Sequence, residues 1–211
     1  ADDDKYNITW RIVRINEDGT IRIVKQNISN EIYKSLPIAY NESNGSKNAT
    51  IFTNATSIKT YLSNFYNKVF YEQISANGQN LATRIAANNN NTMRYFCEQQ
   101  RSISDSPTFK CESATTDSIG LLTYDEVIHA GGYYNQANDN YYLYDGNTNW
   151  LMSAYPFSGY IAFTWALKSD GSLGSKMVAE NNDGLARPVV NLRADTTASG
   201  SGTKLEPFVV N

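Results

Sequence analysis

The tightest constraint on the fold is a local one near the N-terminus. Trp10-Arg-Ile-Val-Arg-Ile15 alternates, Asn16-Glu-Asp-Gly19 turns, and Thr20-Ile-Arg-Ile-Val24 alternates again. Asp-Gly supplies the positive φ of a tight turn, so the segment predicts a β-hairpin. Trp10, Ile12 and Arg14 share one face of the first strand. Arg11, Val13 and Ile15 share the other. Both faces are partly apolar, which predicts a hairpin covered on both sides.

Residues 41–50 form an Asn/Ser/Gly loop, and a helix is predicted from about Ser57. There Ile58, Tyr61, Leu62, Phe65 and Val69 fall at helical spacing on one stripe. A second helical stretch is predicted over residues 79–87, ending at the Asn88–Asn91 run. Thr123-Tyr-Asp-Glu126 is a capping-box sequence. The Thr hydroxyl takes the third amide of the helix, and the Glu carboxylate reaches back. Gly131 and Gly132 stop this short helix.

From Tyr133 onward the chain reads as loops and strands. Tyr141–Tyr144 and Asn149–Ser153 are predicted strands, with Asp145-Gly146 turning between them. In Tyr160–Leu167, alternation assigns Ile161, Phe163, Trp165 and Leu167 to one face, the core side, and Tyr160, Ala162, Thr164 and Ala166 to the other. Ser169-Asp-Gly171 turns the next hairpin. Ala186–Leu192 is a late strand with Pro188 near its start, where a missing amide is tolerable. A turn and a closing strand follow in residues 200–210. Few helices, several hairpins and long loops predict an α+β domain.

The 211 residues, 41% of them hydrophobic, suit one domain. Ala1–Lys5 reads as a tag remnant or trimmed terminus, and residues 6–211 as the single domain. Lys and Arg number 18 against 21 Asp and Glu. That balance gives no footprint for nucleic acid or an anionic membrane. No apolar run approaches the ~20 residues that span a bilayer. Tyr, at 15, is abundant, and Asn, Ser and Thr replace charge. Such a surface has the composition of a paratope, although AT-rich coding produces the same bias. Cys97 and Cys111 suit a disulfide closing a loop of about 15 residues, the alternative being two free thiols. A disulfide favours an exported protein.

A family emerges from the order of these segments. Trp10–Gly19, Leu121-Leu-Thr-Tyr-Asp-Glu126 with Ala130-Gly-Gly132, Trp150-Leu-Met-Ser-Ala-Tyr-Pro156 and Ala186-Arg-Pro-Val-Val-Asn-Leu192 together resemble the C-type-lectin-like domains of gut Firmicutes and related bacteria. Those domains often follow a type IV pilin-like helix. The resemblance implies a C-type-lectin-like fold with antiparallel sheets, two or three helices and long loops. It also implies kinship in fold with the variable proteins of diversity-generating retroelements. In those proteins, solvent-facing side chains between the Trp strand and the late Arg-Pro strand bind ligand. The matching stretch runs from Ser153 to Gly174 and contains Tyr155, Phe157, Ser158, Tyr160, Ala162, Thr164 and Trp165 as candidate ligand-binding residues.

Catalytic chemistry finds little purchase. His129 lies in a short helix without a nucleophile elbow. The copper-binding cysteines of formylglycine-generating enzymes, which share the fold that the resemblance implies, come late in that fold, whereas Cys97 and Cys111 come early. The Asp125–Glu126 pair is accounted for by the helix cap. Asn138-Asp-Asn140 and Asp145-Gly-Asn147 offer oxygens for calcium but read as turn chemistry, and Glu206-Pro207 is followed by Phe208, not by a sugar-selecting residue. The sequons at Asn7, Asn48 and Asn54 are expected by chance in an Asn-rich chain. The expectation is therefore a non-enzymatic, cofactor-free, extracellular domain at the cell surface that binds a protein or glycan on a host or microbial surface. Tyr155, Phe157 and Tyr160 are its foremost contacts. The alternative is a pilin-like fibre subunit whose aromatic loops pack against pilus neighbours.

Overall fold

The computed structural model describes residues 10–26, 37–43, 45–67, 94–180, 183–201 and 209–210. The predicted helix at 79–87, the Ala1–Lys5 terminus, Asn7, Val69 and the Glu206-Pro207-Phe208 triplet lie outside them. The fold is α+β. Strands β1 (Trp10–Ile15) and β2 (Ile21–Lys25) form the predicted hairpin. Helix α1 (Thr56–Tyr66) follows two 3-10 turns. Strands β3 (Arg94–Cys97) and β4 (Ala114–Asp117) flank the cysteine loop, and helix α2 (Tyr124–Ala130) comes next. Strands β5 (Asn149–Ala154), β6 (Phe163–Leu167), β7 (Leu173–Met177) and β8 (Val189–Leu192) follow, then the two-residue strands β9 (Ala198–Ser199) and β10 (Val209–Val210).

Among the described residues the strands make two three-stranded antiparallel sheets, β1-β2-β8 and β5-β6-β7, and two two-stranded ribbons, β3-β4 and β9-β10. One extended segment joins the two larger sheets. Gly120 exchanges amide and carbonyl bonds with Val189 of β8, both at 2.9 Å. Two residues later the Leu122 carbonyl accepts the Met152 amide of β5 at 2.8 Å. The core lies between these layers and includes Phe96, Leu121, Leu122, Trp150 and Trp165 with α1's Ile58 and Leu62. The α1 stripe is buried at Ile58, Leu62 and Phe65, as its spacing predicts. Each such apolar side chain contributes roughly 1.5–3 kcal/mol through burial.

Helix α2 forms for the reasons its sequence gives. The Thr123 hydroxyl accepts the Glu126 amide at 3.2 Å, and the Glu126 carboxylate accepts the Thr123 amide at 2.9 Å. Gly131, in the left-handed region, ends it. What spacing alone does not show is that Glu126 is buried and also meets two arginines. Arg14 of β1 lies 3.2 Å away, and Arg22 of β2, itself buried, pairs with the same carboxylate. Arg22 also donates to the Leu121 carbonyl at 2.9 Å. Burial by itself would push the Glu126 carboxyl up. The positive charges of Arg22 and Arg14 and the Thr123 amide outweigh it and hold the group below the usual carboxylate range.

Several expectations are corrected. Of the hairpin expected to be covered on both sides, β2 is buried on both faces, but β1 is not. A bulge between Ile12 and Arg14 resets the alternation, so Val13 is buried while Ile12 (42%) and Ile15 (68%) are exposed. Tyr141–Tyr144 is a turn, closed by the Tyr144 amide on the Tyr141 carbonyl at 3.1 Å. Its phenols act as struts: Tyr141 donates to Gly171, Tyr142 to Val13 and Tyr144 to Ser169, all on backbone carbonyls. Strand β6 starts at Phe163, not Tyr160, because Ser158–Ile161 is tied into a turn of its own. Strand β8 starts after Pro188. The hairpin turn at Ser169–Gly171 forms as expected. A side chain at Gly171 (φ +79°) would bring a Cβ within 1.6 Å of the Asn138 carbonyl oxygen.

The ion cluster gives a pH signature. A carboxyl held low in the folded state contributes stability that is complete above its unfolded pKa, about 4.3, and lost as pH falls through the folded value. Glu126→Gln leaves Arg22 buried without its partner and is expected to cost about 3 kcal/mol or more at pH 7. Urea denaturation at pH 7 and at pH 3 checks this. The gap between wild type and variant narrows at pH 3.

Candidate ligand-binding surface

The sheet β5-β6-β7 carries the surface. Its register sets Phe163 opposite Met177, Trp165 opposite Ser175 and Leu167 opposite Leu173. The Tyr155 amide, just past β5, donates to the Phe163 carbonyl at 3.3 Å. Tyr155, Phe163 and Met177 therefore form a row across the end of the sheet, each half-buried. The Tyr155 ring packs edge-on against Phe163 (6.4 Å between centroids) and Trp165 (4.8 Å). Tyr134 meets Trp165 from a neighbouring loop at 5.8 Å, and Tyr124 of α2 meets it at 4.4 Å. Burial and the neighbouring Tyr134 push the Tyr155 phenol up.

Beyond the row, residues 158–161 make a small, self-bonded turn. The Ser158 hydroxyl donates to the Ile161 carbonyl at 3.1 Å and accepts the Ile161 amide at 3.4 Å. Gly159 takes φ +96°, which a side chain would strain. Tyr160 sits at the apex, 87% exposed, with Ile161 exposed beside it. An aromatic ring held in water on a tied turn is a preformed contact with little ordering cost left to pay.

Four of the seven candidate residues reach this surface: Tyr155 and Phe157 half-buried, Ser158 and Tyr160 exposed. Ala162, Thr164 and Trp165 do not, and their place in the candidate set is corrected, although for Trp165 the core side given by alternation holds. All three are fully buried. The Thr164 hydroxyl is spent on the Leu151 and Ser153 carbonyls of β5, at 3.2 and 2.8 Å. The Trp165 indole donates to the Arg101 carbonyl at 2.8 Å. The cause is position: β6 is the middle strand and is covered on both faces, so alternation there separates two interiors rather than core from solvent. Conversely, Ile161 and Phe163, assigned to the core by alternation, are exposed and half-buried, because the strand emerges from cover at that end. Tyr134, Ser175 and Met177 had no place in the sequence reading. Counting residues back from the Ser169–Gly171 turn gives the Phe163–Met177 pairing, so that signal was available.

Titratable and polar groups of the other candidate motifs have structural partners. Asp125 accepts from Arg101 at 2.8 Å and from the Thr108 amide at 2.9 Å. The exposed His129 stacks on Phe109, with centroids 4.4 Å apart. Asp145 accepts from the Asn147 amide and the Asn149 side chain and lies 3.5 Å from the buried Arg187. Asn138 donates to the Gly131 carbonyl and accepts the Asn140 amide. Among the described residues no three His, Cys, Asp or Glu side chains are grouped to hold a metal ion.

Burial separates the seven candidates by stability. Trp165→Ala is expected to cost about 3–5 kcal/mol, whereas Tyr160→Ala should change stability by no more than about 0.5 kcal/mol. Chemical denaturation of the two variants measures the difference. Comparison of the chain with protein-family models, with curated proteins and with solved structures finds no match.

Proposed function

We propose that this chain is a ligand-binding domain displayed outside the cell, with a C-type-lectin-like fold, and that it engages a protein or glycan on a host or microbial surface. One observation carries the reading: Tyr160 stands 87% exposed on a tied turn next to the row Tyr155, Phe163 and Met177. Exposed aromatic side chains on a rigid frame are the usual energetic centres of an interface. The order of sequence motifs supports the fold assignment. The Cys97–Cys111 disulfide is compatible with an oxidising location.

Diversification by a retroelement belongs to the same proposal and becomes position-specific. Phe157, Ser158, Tyr160 and Ile161 are at least partly exposed and can vary at little cost to the core. Ala162, Thr164 and Trp165 are buried, so variation there would damage packing. The second reading, a pilin-like fibre subunit, draws on exposed Ile12 and Ile15 in β1, which ends its sheet. It predicts concentration-dependent self-association in sedimentation, weakened by Ile15→Lys.

Binding of the domain to glycan and protein arrays, compared with that of a Tyr155→Ala, Tyr160→Ala double variant, tests the first reading. Loss of at least about tenfold in affinity is expected for two interface anchors. Undiminished binding by the folded double variant overturns the assignment.

A further inference from the structure

The cysteine loop is held at two places that have nothing covalent in common. At its neck, Cys97 ends β3 and is joined to Cys111, with Cα atoms 5.7 Å apart, and the Glu98 amide donates to the Ser113 carbonyl at 3.0 Å. Both cysteines are half-buried. The middle of the loop is held by Arg101, which is buried. Its guanidinium donates to the Ser106 carbonyl at 2.6 Å and to Asp125 of α2 at 2.8 Å, with Asp105 3.8 Å away. Its amide donates to the Ala154 carbonyl at the end of β5 at 2.9 Å, and its carbonyl accepts the Trp165 indole of β6 at 2.8 Å. Seven residues on, the Thr108 amide donates to the same Asp125 carboxylate at 2.9 Å. Phe109 lies between Arg14 of β1, 4.5 Å from its ring, and His129 of α2.

We propose that the Arg101–Asp125 clasp, and not the disulfide, positions the cysteine loop against the β5-β6-β7 sheet, so that the loop stays docked when the disulfide is opened. The contacts of residues 101–109 run to β1, α2, β5 and β6, and none passes through a sulfur atom. A disulfide acts chiefly by restricting the unfolded chain, so its loss lowers stability without dictating where the folded loop lies. A buried Arg–carboxylate pair with a backbone donor on the same oxygen fixes geometry in the folded state. Arg101 is thus a positioning residue for Trp165 and, through it, for Tyr155. The consequence for binding rests on the proposed function, while the position of the loop does not. The sheet end keeps its arrangement in reducing as well as oxidising surroundings.

The test uses the whole chain, labelled with nitrogen-15, and needs no ligand. Two signals report the loop: the Trp165 indole N–H resonance and the exchange rate of the Thr108 amide. A dithiol reduces the bond by two electrons, giving two protein thiols and a cyclic disulfide of the reductant. After reduction, and in the Cys97→Ser, Cys111→Ser variant, both signals are expected to stay in place while the melting temperature falls. With the disulfide intact, Arg101→Met is expected to move the indole resonance and speed Thr108 exchange by about tenfold or more, as a local opening does. Arg101→Lys, which keeps the charge but not the fork, should recover part of that loss. The proposal is overturned if reduction moves either signal as far as Arg101→Met does, or if folded Arg101→Met leaves both unchanged. Should Arg101→Met not fold, the reduction experiment decides alone. Neither result bears on whether Tyr155 and Tyr160 bind a ligand.

Discussion

The Glu126 carboxylate meets Arg14 of β1, Arg22 of β2 and the Thr123 amide that opens α2. The two strands of the hairpin and a helix far along the chain therefore converge on one buried carboxylate. Such a cluster is costly to desolvate and is weak evidence for net stability. Its value is geometric, because an unpaired charge at that depth would cost several kcal/mol, so arrangements that separate the partners are penalised. The Arg22 guanidinium also lies 4.8 Å above the Phe96 ring and donates to the Leu121 carbonyl, which brings β3 and the sheet-joining segment into the same network. Arg187 repeats the device between β2 and the tyrosine turn. It is buried and donates to the Lys25 and Leu143 carbonyls, with Asp145 beside it.

Tyrosine serves two purposes. In the turn at 141–144 the phenols reach backbone carbonyls of other loops, where a long side chain with one terminal donor spans a gap that a main-chain bond cannot. Tyr155 and Tyr160 lie at the sheet end, one half-buried against Trp165 and the other in water. Composition registers only the total. The division into struts and display follows from which rings find a carbonyl within reach and which project past the last strand pair. The exposed aromatic surface grades into the core: Tyr155 packs on Trp165, whose indole donates to the Arg101 carbonyl.

Much of the local structure was legible in the sequence. The hairpin, α1, the capped α2 and the turns at Asp145-Gly146 and Ser169–Gly171 each rest on residues close in sequence, so their signals are local. The seven-residue candidate set fared unevenly for a definable reason. Alternation along Tyr160–Leu167 was read as core against solvent, which holds for a strand with one wet face. In β6, between β5 and β7, both faces are covered from Thr164 onward, and just before the strand Ile161 of the nominal core face is exposed while Ala162 of the other face is buried. The Tyr141–Tyr144 segment misled in another way. Its β propensity is high, yet it forms a turn whose three phenols bond to carbonyls elsewhere.

The sequence by itself determined the α+β class, the positions of most elements, the pairing of Cys97 with Cys111 as a favoured option, and the segment in which the exposed aromatic surface lies. Tertiary structure decided which side chains of that segment face water, which carboxylate is buried with two arginines, and how the cysteine loop is held to Trp165. The physical reason is range. Caps, turns and periodicity act over a few residues, whereas burial and ion pairing depend on neighbours such as Arg22 and Glu126, which are 104 positions apart.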